Sequence, residues 1–119
     1  RNVRRLAKLC LDEGVELIHA RSRAPAWVGL GTARALGVPF VTTYHGSYSG
    51  RSAIKVRYNS VMARGDVVIA NSHYTAGLIA ASYPMAEPRL RVIYRGTDFR
   101  NFTPAAVEPE RVEALRQSW

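Results

Sequence analysis

Four short β-prone runs recur along the chain, and a segment of helical character separates each from the next. VELIHA (Val15–Ala20), PFVTTYHG (Pro39–Gly46), DVVIAN (Asp66–Asn71) and RLRVIY (Arg89–Tyr94) are rich in aliphatic, β-branched and aromatic residues. Between them lie three segments that read as helices. The first is Pro25–Leu36, dense in Ala and Gly. In the second, Ile54, Tyr58, Val61 and Met62 share one helical face ahead of Gly65. The third is capped by Ser72, runs to Ser82 and closes at Tyr83-Pro84. Strands joined through helices lie parallel, with right-handed crossovers. The predicted fold class is therefore α/β: a parallel sheet flanked by helices, and such sheets are ordinarily covered on both faces.

The rest of the chain fits around that sheet. Asn2–Glu13 carries Val3, Leu6, Ala7, Cys10 and Leu11 on an apolar face, with Gly14 placed to end a helix. Cys10 on that face reads as a small core residue rather than a nucleophile. Pro25 suits the first turn of the next helix and Gly37 its C-terminal stop, while Gly29, Gly31 and Ala33 would let it press closely on the sheet. Gly46–Ser52 and RGTDFRNFTP read as loops, and Pro109–Trp119 as a final amphipathic helix. A length of 119 residues fits one domain. One Cys and three scattered His supply neither a disulfide framework nor a structural zinc site. No apolar run is long enough to span a membrane. The basic start resembles a signal peptide only superficially, because LAKLCL is short, contains Lys8 and precedes Asp12 and Glu13. A reducing, cytoplasmic setting is expected, and the chain begins without Met, as an excised piece would.

A net charge of +8 favours phosphates, nucleic acid or an acidic membrane surface, and equally serves simple solubility. Parallel α/β sheets bind ligands beyond the C-terminal ends of their strands. Polar residues cluster at those ends: His19 to Arg23, Tyr44-His45-Gly46, Asn71-Ser72-His73 and Tyr94 to Asp98. His45 could donate to a hydroxyl or phosphate oxygen or move a proton near neutral pH, with Gly46 leaving room for a ligand; from position alone, a histidine that only bonds a neighbouring loop is the commoner case. Arg21 and Arg23 flank Ser22 beside a helix N-terminus, which makes either an anion seat or a solvated rim. Arg51, Lys55, Arg57 and Arg64 surround a narrow apolar stripe, the pattern of a helix lying on an anionic bilayer or of one packed on its own sheet. Tyr48, Tyr58 and Arg57 would stack on bases, but no nucleic-acid-binding motif accompanies them. P-loop, G-x-G-x-x-G and G-x-S-x-G patterns are absent from the sequence, and Asp12 and Glu13 diverge on adjacent helical positions.

IHARSRAPAW, FVTTYHG, MARGDVVIANSHYTAGLI and RVIYRGTDFRNF, in that order and spacing, resemble successive blocks of the N-terminal domain of GT-B glycosyltransferases of family 4. The resemblance implies a Rossmann-like domain that is partial here, over residues 1–104, with 105–119 starting the interdomain connector. It implies a retaining transferase that moves a sugar from a nucleotide-sugar to a saccharide or lipid-linked acceptor, as in lipopolysaccharide or cell-envelope glycan synthesis. His45 would reach the transferred sugar as the catalytic contact, with Gly46 beside it. Arg21, Ser22 and Arg23 would line the acceptor side. Arg95, Gly96 and Asp98 would stand beside the cleft, with Arg95 where the family usually has Asn and Thr97 where it has Val.

The family's early strand with its Gly-rich loop is not in this sequence, and neither is the C-terminal domain with its spaced Glu pair. A piece of this kind is expected to be inactive alone and to self-associate through the Val15–His19 edge or by exchanging a terminal helix. No metal and no cofactor are implied. The expected place is the cytoplasm, with a peripheral seat on the inner face of the membrane. The leading reading involves no nucleic acid. The competing reading is a non-catalytic basic α/β module that binds it.

Overall fold

The computed structural model describes residues 1–46, 48 and 52–119. Strands β1 (Ile18–Ala20), β2 (Phe40–Tyr44), β3 (Val67–Ala70) and β4 (Leu90–Val92) form one parallel sheet in that order. Helices α1 (Asn2–Asp12), α2 (Arg23–Leu36), α3 (Ala53–Asn59) and α4 (His73–Ser82) alternate with them, and α5 (Pro109–Gln117) follows. The predicted α/β class with a parallel, helix-flanked sheet is the fold observed.

Strand order corrects the expectation that both faces are covered. Each crossover steps one strand in the same direction, and right-handed crossovers that step one way lie on one face. Ala20, Phe40, Thr42, Tyr44, Val68 and Ala70 point to that face and are buried. His19, Val41, Thr43, Val67, Ile69 and Arg91 alternate with them on the other face, half-buried or exposed. Among the described residues no helix covers that second face. Covering it takes a reversal of strand order, which is a matter of topology and not of strand composition.

Local chemistry moves several element boundaries. Gly14 adopts φ 63°, and the amides of Val15 and Gly14 donate to the carbonyls of Cys10 and Leu11, which ends α1 in a Schellman arrangement. Val15 is thereby committed to the cap, so β1 spans Ile18–Ala20 and not the predicted Val15–Ala20. Cys10 is buried, as expected. Helix α2 starts at Arg23, two residues before Pro25, because the amide that proline lacks falls among the unpaired first-turn donors. Of the small residues expected against the sheet, Gly29 is there, its missing Cβ being 3.1 Å from Phe40. Gly31 instead faces α1, where a Cβ would stand 3.0 Å from Val3.

The predicted face of Ile54, Tyr58, Val61 and Met62 divides. α3 ends at Asn59 and the chain tightens into a 3-10 turn over Ser60–Ala63, which changes the angular phase. Val61 and Met62 are fully buried while Ile54 is 82% exposed. A second 3-10 turn over Pro84–Arg89, not predicted, shortens β4; Arg89 donates to the carbonyls of Gly65, Ala63 and Met85. α5 ends at Gln117, short of the predicted Trp119, and buries no residue; its Val112 and Leu115 are exposed, as is Trp119 beyond it.

The tightest joint is the entry to β3. Thr42 donates to the Met62 carbonyl at 2.6 Å, and the Asp66 carboxylate accepts from the Phe40 amide at 2.8 Å. A Cβ on Gly65 would stand 2.5 Å from the Val67 carbonyl oxygen and 2.9 Å from the Thr42 hydroxyl. Backbone cannot retreat as a side-chain tip can. Gly65→Ala should therefore cost at least the ~1–3 kcal/mol typical of overpacking, read from urea denaturation. An unchanged midpoint would show that this joint yields.

Candidate anion-binding site

The alternation of the strands continues past their C-terminal ends. On the uncovered face His19 is followed by Arg21, Thr43 by His45, Ile69 by Asn71, and Ile93 by Arg95, each pair two residues apart. These eight side chains and Tyr94 line one basin of about 370 Å³. The basin contains no carboxylate among the described residues.

His45 stands at its centre. Arg21 Nε donates to His45 Nε2 at 3.0 Å, while Arg95 Nη2 contacts His45 Nδ1 from the other side. A guanidinium only donates, and a neutral imidazole has one lone pair to offer. One of the two contacts must therefore place an N–H against an N–H. Burial pushes the His45 pKa below its ordinary value, and the charges of Arg21, Arg95 and His19 push it the same way. The ring is thus held neutral between two cations that have no carboxylate partner among the described residues. An anion between the guanidiniums would relieve the repulsion and give each N–H an acceptor. His19 Nε2 and the Thr43 hydroxyl, 2.7 Å apart, add a polar floor.

The predicted residues do not all gather here. Arg21, His45 and Arg95 do. Arg23 lies in α2, where helical geometry interrupts the alternation: its Nη1 donates to Asn59 Oδ1 at 2.8 Å, and its guanidinium stacks 4.7 Å from the Tyr48 ring and 5.9 Å from that of Tyr58. Arg21 and Arg23 thus form no joint seat, and two tyrosines considered for base stacking face Arg23. Ser22 occupies the N-cap position of α2, exposed and without a capping side-chain bond. Among the described residues, none stands within 4 Å of where a Cβ on Gly46 or Gly96 would be. Asp98 is engaged in its own turn, accepting from the Arg100 amide at 3.0 Å, Arg100 Nε at 3.1 Å and Asn101 Nδ2 at 2.9 Å. The Arg100 bonds hold its carboxyl below the usual range.

Of the four cations considered for a membrane surface, Lys55 and Arg57 are exposed on α3. Arg64 turns back over the Trp27 ring at 5.4 Å, and Arg51 lies outside the described residues. Sequence reasoning passed over His19, Thr43 and Asn71 individually, although the two-residue period that runs out of each strand marks them.

A family model described as Glycosyltransferase Family 4 matches residues 1–101. The D-inositol 3-phosphate glycosyltransferase of Salinispora arenicola is 30% identical, over 84% of this chain and 25% of that protein. The crystal structure of a glycosyltransferase from Rickettsia africae has a TM-score of 0.73 at 32% identity, covering 98% of this chain and 31% of that one. Anabaena HepE, crystallised with UDP and glucose, has a TM-score of 0.70 at 23% identity with the same coverages and is similar in fold. The chain therefore spans a quarter to a third of the proteins it is similar to.

Proposed function

The chain belongs to glycosyltransferase family 4, and from that premise we propose that it supplies the acceptor-side wall of a sugar-transfer cleft. In this reading residues 1–104 are part of the N-terminal Rossmann-like domain of a GT-B enzyme and 105–119 begin the connector to its second domain. The reaction is transfer of a sugar from a nucleotide-sugar to a saccharide or lipid-linked acceptor, with retention at the anomeric carbon, as in lipopolysaccharide or other cell-envelope synthesis. No metal or cofactor is assigned a part.

The observation that carries this reading is the uncompensated pair Arg21 and Arg95 around His45. The guanidiniums would hold a phosphate of donor or acceptor, and the neutral imidazole would bond a hydroxyl of the transferred sugar. The Salinispora relative is named for a phosphorylated inositol, which supports a phosphate at this basin. Two assays test the reading. The 119-residue chain alone should turn over no nucleotide-sugar, because the facing wall and its donor contacts are needed to lower the barrier. In the full-length enzyme, His45→Ala should cut turnover by about a hundredfold, the scale of a lost positioned polar group. Near-normal turnover would remove His45 from the chemistry.

The same reading places the enzyme on the cytoplasmic face of the membrane, through exposed Lys55 and Arg57 beside Ile54. Each cation near an anionic surface is worth about 1 kcal/mol, so replacing both with Gln should weaken binding to phosphatidylserine vesicles roughly 30-fold. Unchanged vesicle binding would leave them as a solvated face.

A further inference from the structure

The two cations of the basin are not alone in converging on His45. Arg21, just past β1, donates to its Nε2, and Arg95, past β4, contacts its Nδ1. Asn71 closes the set from the end of β3: its Nδ2 donates to the His45 backbone carbonyl at 3.5 Å. Every other strand of the sheet thus sends one donor toward the residue that follows β2.

That contact settles the orientation of the Asn71 amide. A carbonyl only accepts, so the atom facing it is the nitrogen, and Oδ1 points the other way. Thr75 must then donate, and its Oγ1 lies 2.8 Å from Asn71 Oδ1. With its own proton engaged there, Thr75 Oγ1 accepts from the Ser72 hydroxyl at 3.0 Å, and Ser72 Oγ accepts from the Thr75 amide at 3.1 Å. Thr75 is 6% exposed and sits in the first turn of α4, so packing holds the anchor of this chain in place. The amide is therefore aimed before any ligand arrives. A primary amide carries two N–H donors, and the His45 carbonyl engages one of them at the outer limit of bonding distance.

We propose that Asn71 is the third donor of the anion site, giving an N–H to an oxygen of the anion lodged between Arg21 and Arg95, and that Thr75 is the positioning residue that aims it. Asn71 lines the same basin as the two arginines. The assignment rests on the reading of that basin as an anion site. A neutral donor raises affinity for an oxyanion without the self-repulsion that a third cation would bring. Were the amide turned over, Oδ1 would stand where Nδ2 stands and would repel the same anion. The Thr75 hydroxyl, by donating to Oδ1, excludes that orientation.

The test titrates the 119-residue chain with sulfate, by calorimetry and by the NMR signals of the Asn71 side-chain amide. Sulfate should shift those signals. Asn71→Ala should weaken binding about tenfold, the scale of one hydrogen bond to a charged group. Thr75→Val keeps the β-branched shape and removes only the hydroxyl; it should weaken binding roughly threefold to tenfold, and Thr75→Ser should restore it. None of these changes touches a charge, so the proton uptake linked to His45 should persist in each. The double variant separates aim from packing: in the Asn71→Ala background Thr75→Val should change affinity less than about twofold, because its route to the anion is gone. Sulfate binding unaltered by Asn71→Ala would overturn the assignment and leave the anion site standing. Equal losses from Thr75→Val with and without Asn71, or loss of the proton uptake in Thr75→Val, would overturn the positioning role. A parent chain that binds no sulfate would remove the anion reading of the basin, and the third donor with it.

Discussion

Replacing Arg95 with Gln should weaken sulfate binding to the basin by about tenfold to a hundredfold, and replacing Arg21 as well should abolish it. A hydrogen bond to a charged group contributes roughly 1.5–3 kcal/mol, and each 1.4 kcal/mol is tenfold. The two guanidiniums reach His45 from opposite sides, and no carboxylate of the basin competes for them. Sulfate serves as the probe because it does not titrate between pH 5 and 8, so any pH dependence belongs to the protein.

That dependence has a definite sign. The free site holds the His45 pKa below its ordinary 6.5. A bound dianion offsets Arg21 and Arg95, so the pKa is higher in the complex. Binding is then coupled to proton uptake: affinity rises as pH falls through the interval between the bound and free values, and is flat above it. In Arg95→Gln the free His45 should titrate closer to 6.5, and the coupling should shrink. Folding follows the same linkage. With the folded pKa depressed, the unfolded chain takes up more protons below 6.5, so His45 lowers stability as pH falls through that window. Calorimetry in two buffers of different ionisation enthalpy reads the proton uptake directly. Sulfate binding that is indifferent to Arg95, or without proton uptake, would mean that the basin is not an anion site.

How far the sequence discloses this site depends on which rule governs each residue. The alternation within a strand is local, so the placement of His45 and Arg95 beyond β-runs is legible from two-residue spacing alone. Arg21 and Arg23 obey the same spacing, yet the backbone enters α2 at Arg23 and turns that side chain toward Asn59 and Tyr48. Where a strand hands over to a helix is decided by capping, and Ser22 is a cap position that composition marks only weakly. The α3 stripe fails for a similar reason. Ile54 and Val61 share a face at 3.6 residues per turn but not across a change to three. Asp98 is read as a ligand contact from its motif, whereas its carboxylate is occupied by residues two and three positions on, an Asx-turn habit of the residue type. The bare sheet face depends on strand order, which no single segment encodes.

That bare face changes where self-association is expected. The β1 edge is a poor template. In a parallel strand the N–H and C=O of alternate residues point to alternate sides, and Ile18 donates toward β2, to the Pro39 carbonyl. Within Ile18–Ala20 only His19 therefore turns its backbone pair outward, and an edge so short is itself a protection against pairing. Away from the basin the uncovered face offers more, with Val41 and Val67 in register on β2 and β3 and each partly exposed. Apolar sheet faces gain roughly 25 cal/mol for each Å² removed from water, so a second copy laid face to face is the more favourable route. The chain should run as a dimer in light scattering at micromolar concentration. Val41→Lys with Val67→Lys should restore the monomer, since each would bury a charge in that contact and neither offers the other a counter-charge. His19→Pro, which blocks only the outward donor of β1, should leave the dimer intact. A dimer abolished by His19→Pro and indifferent to the face variants would return the association to the strand edge. A monomer throughout would mean that this apolar face tolerates water without a partner.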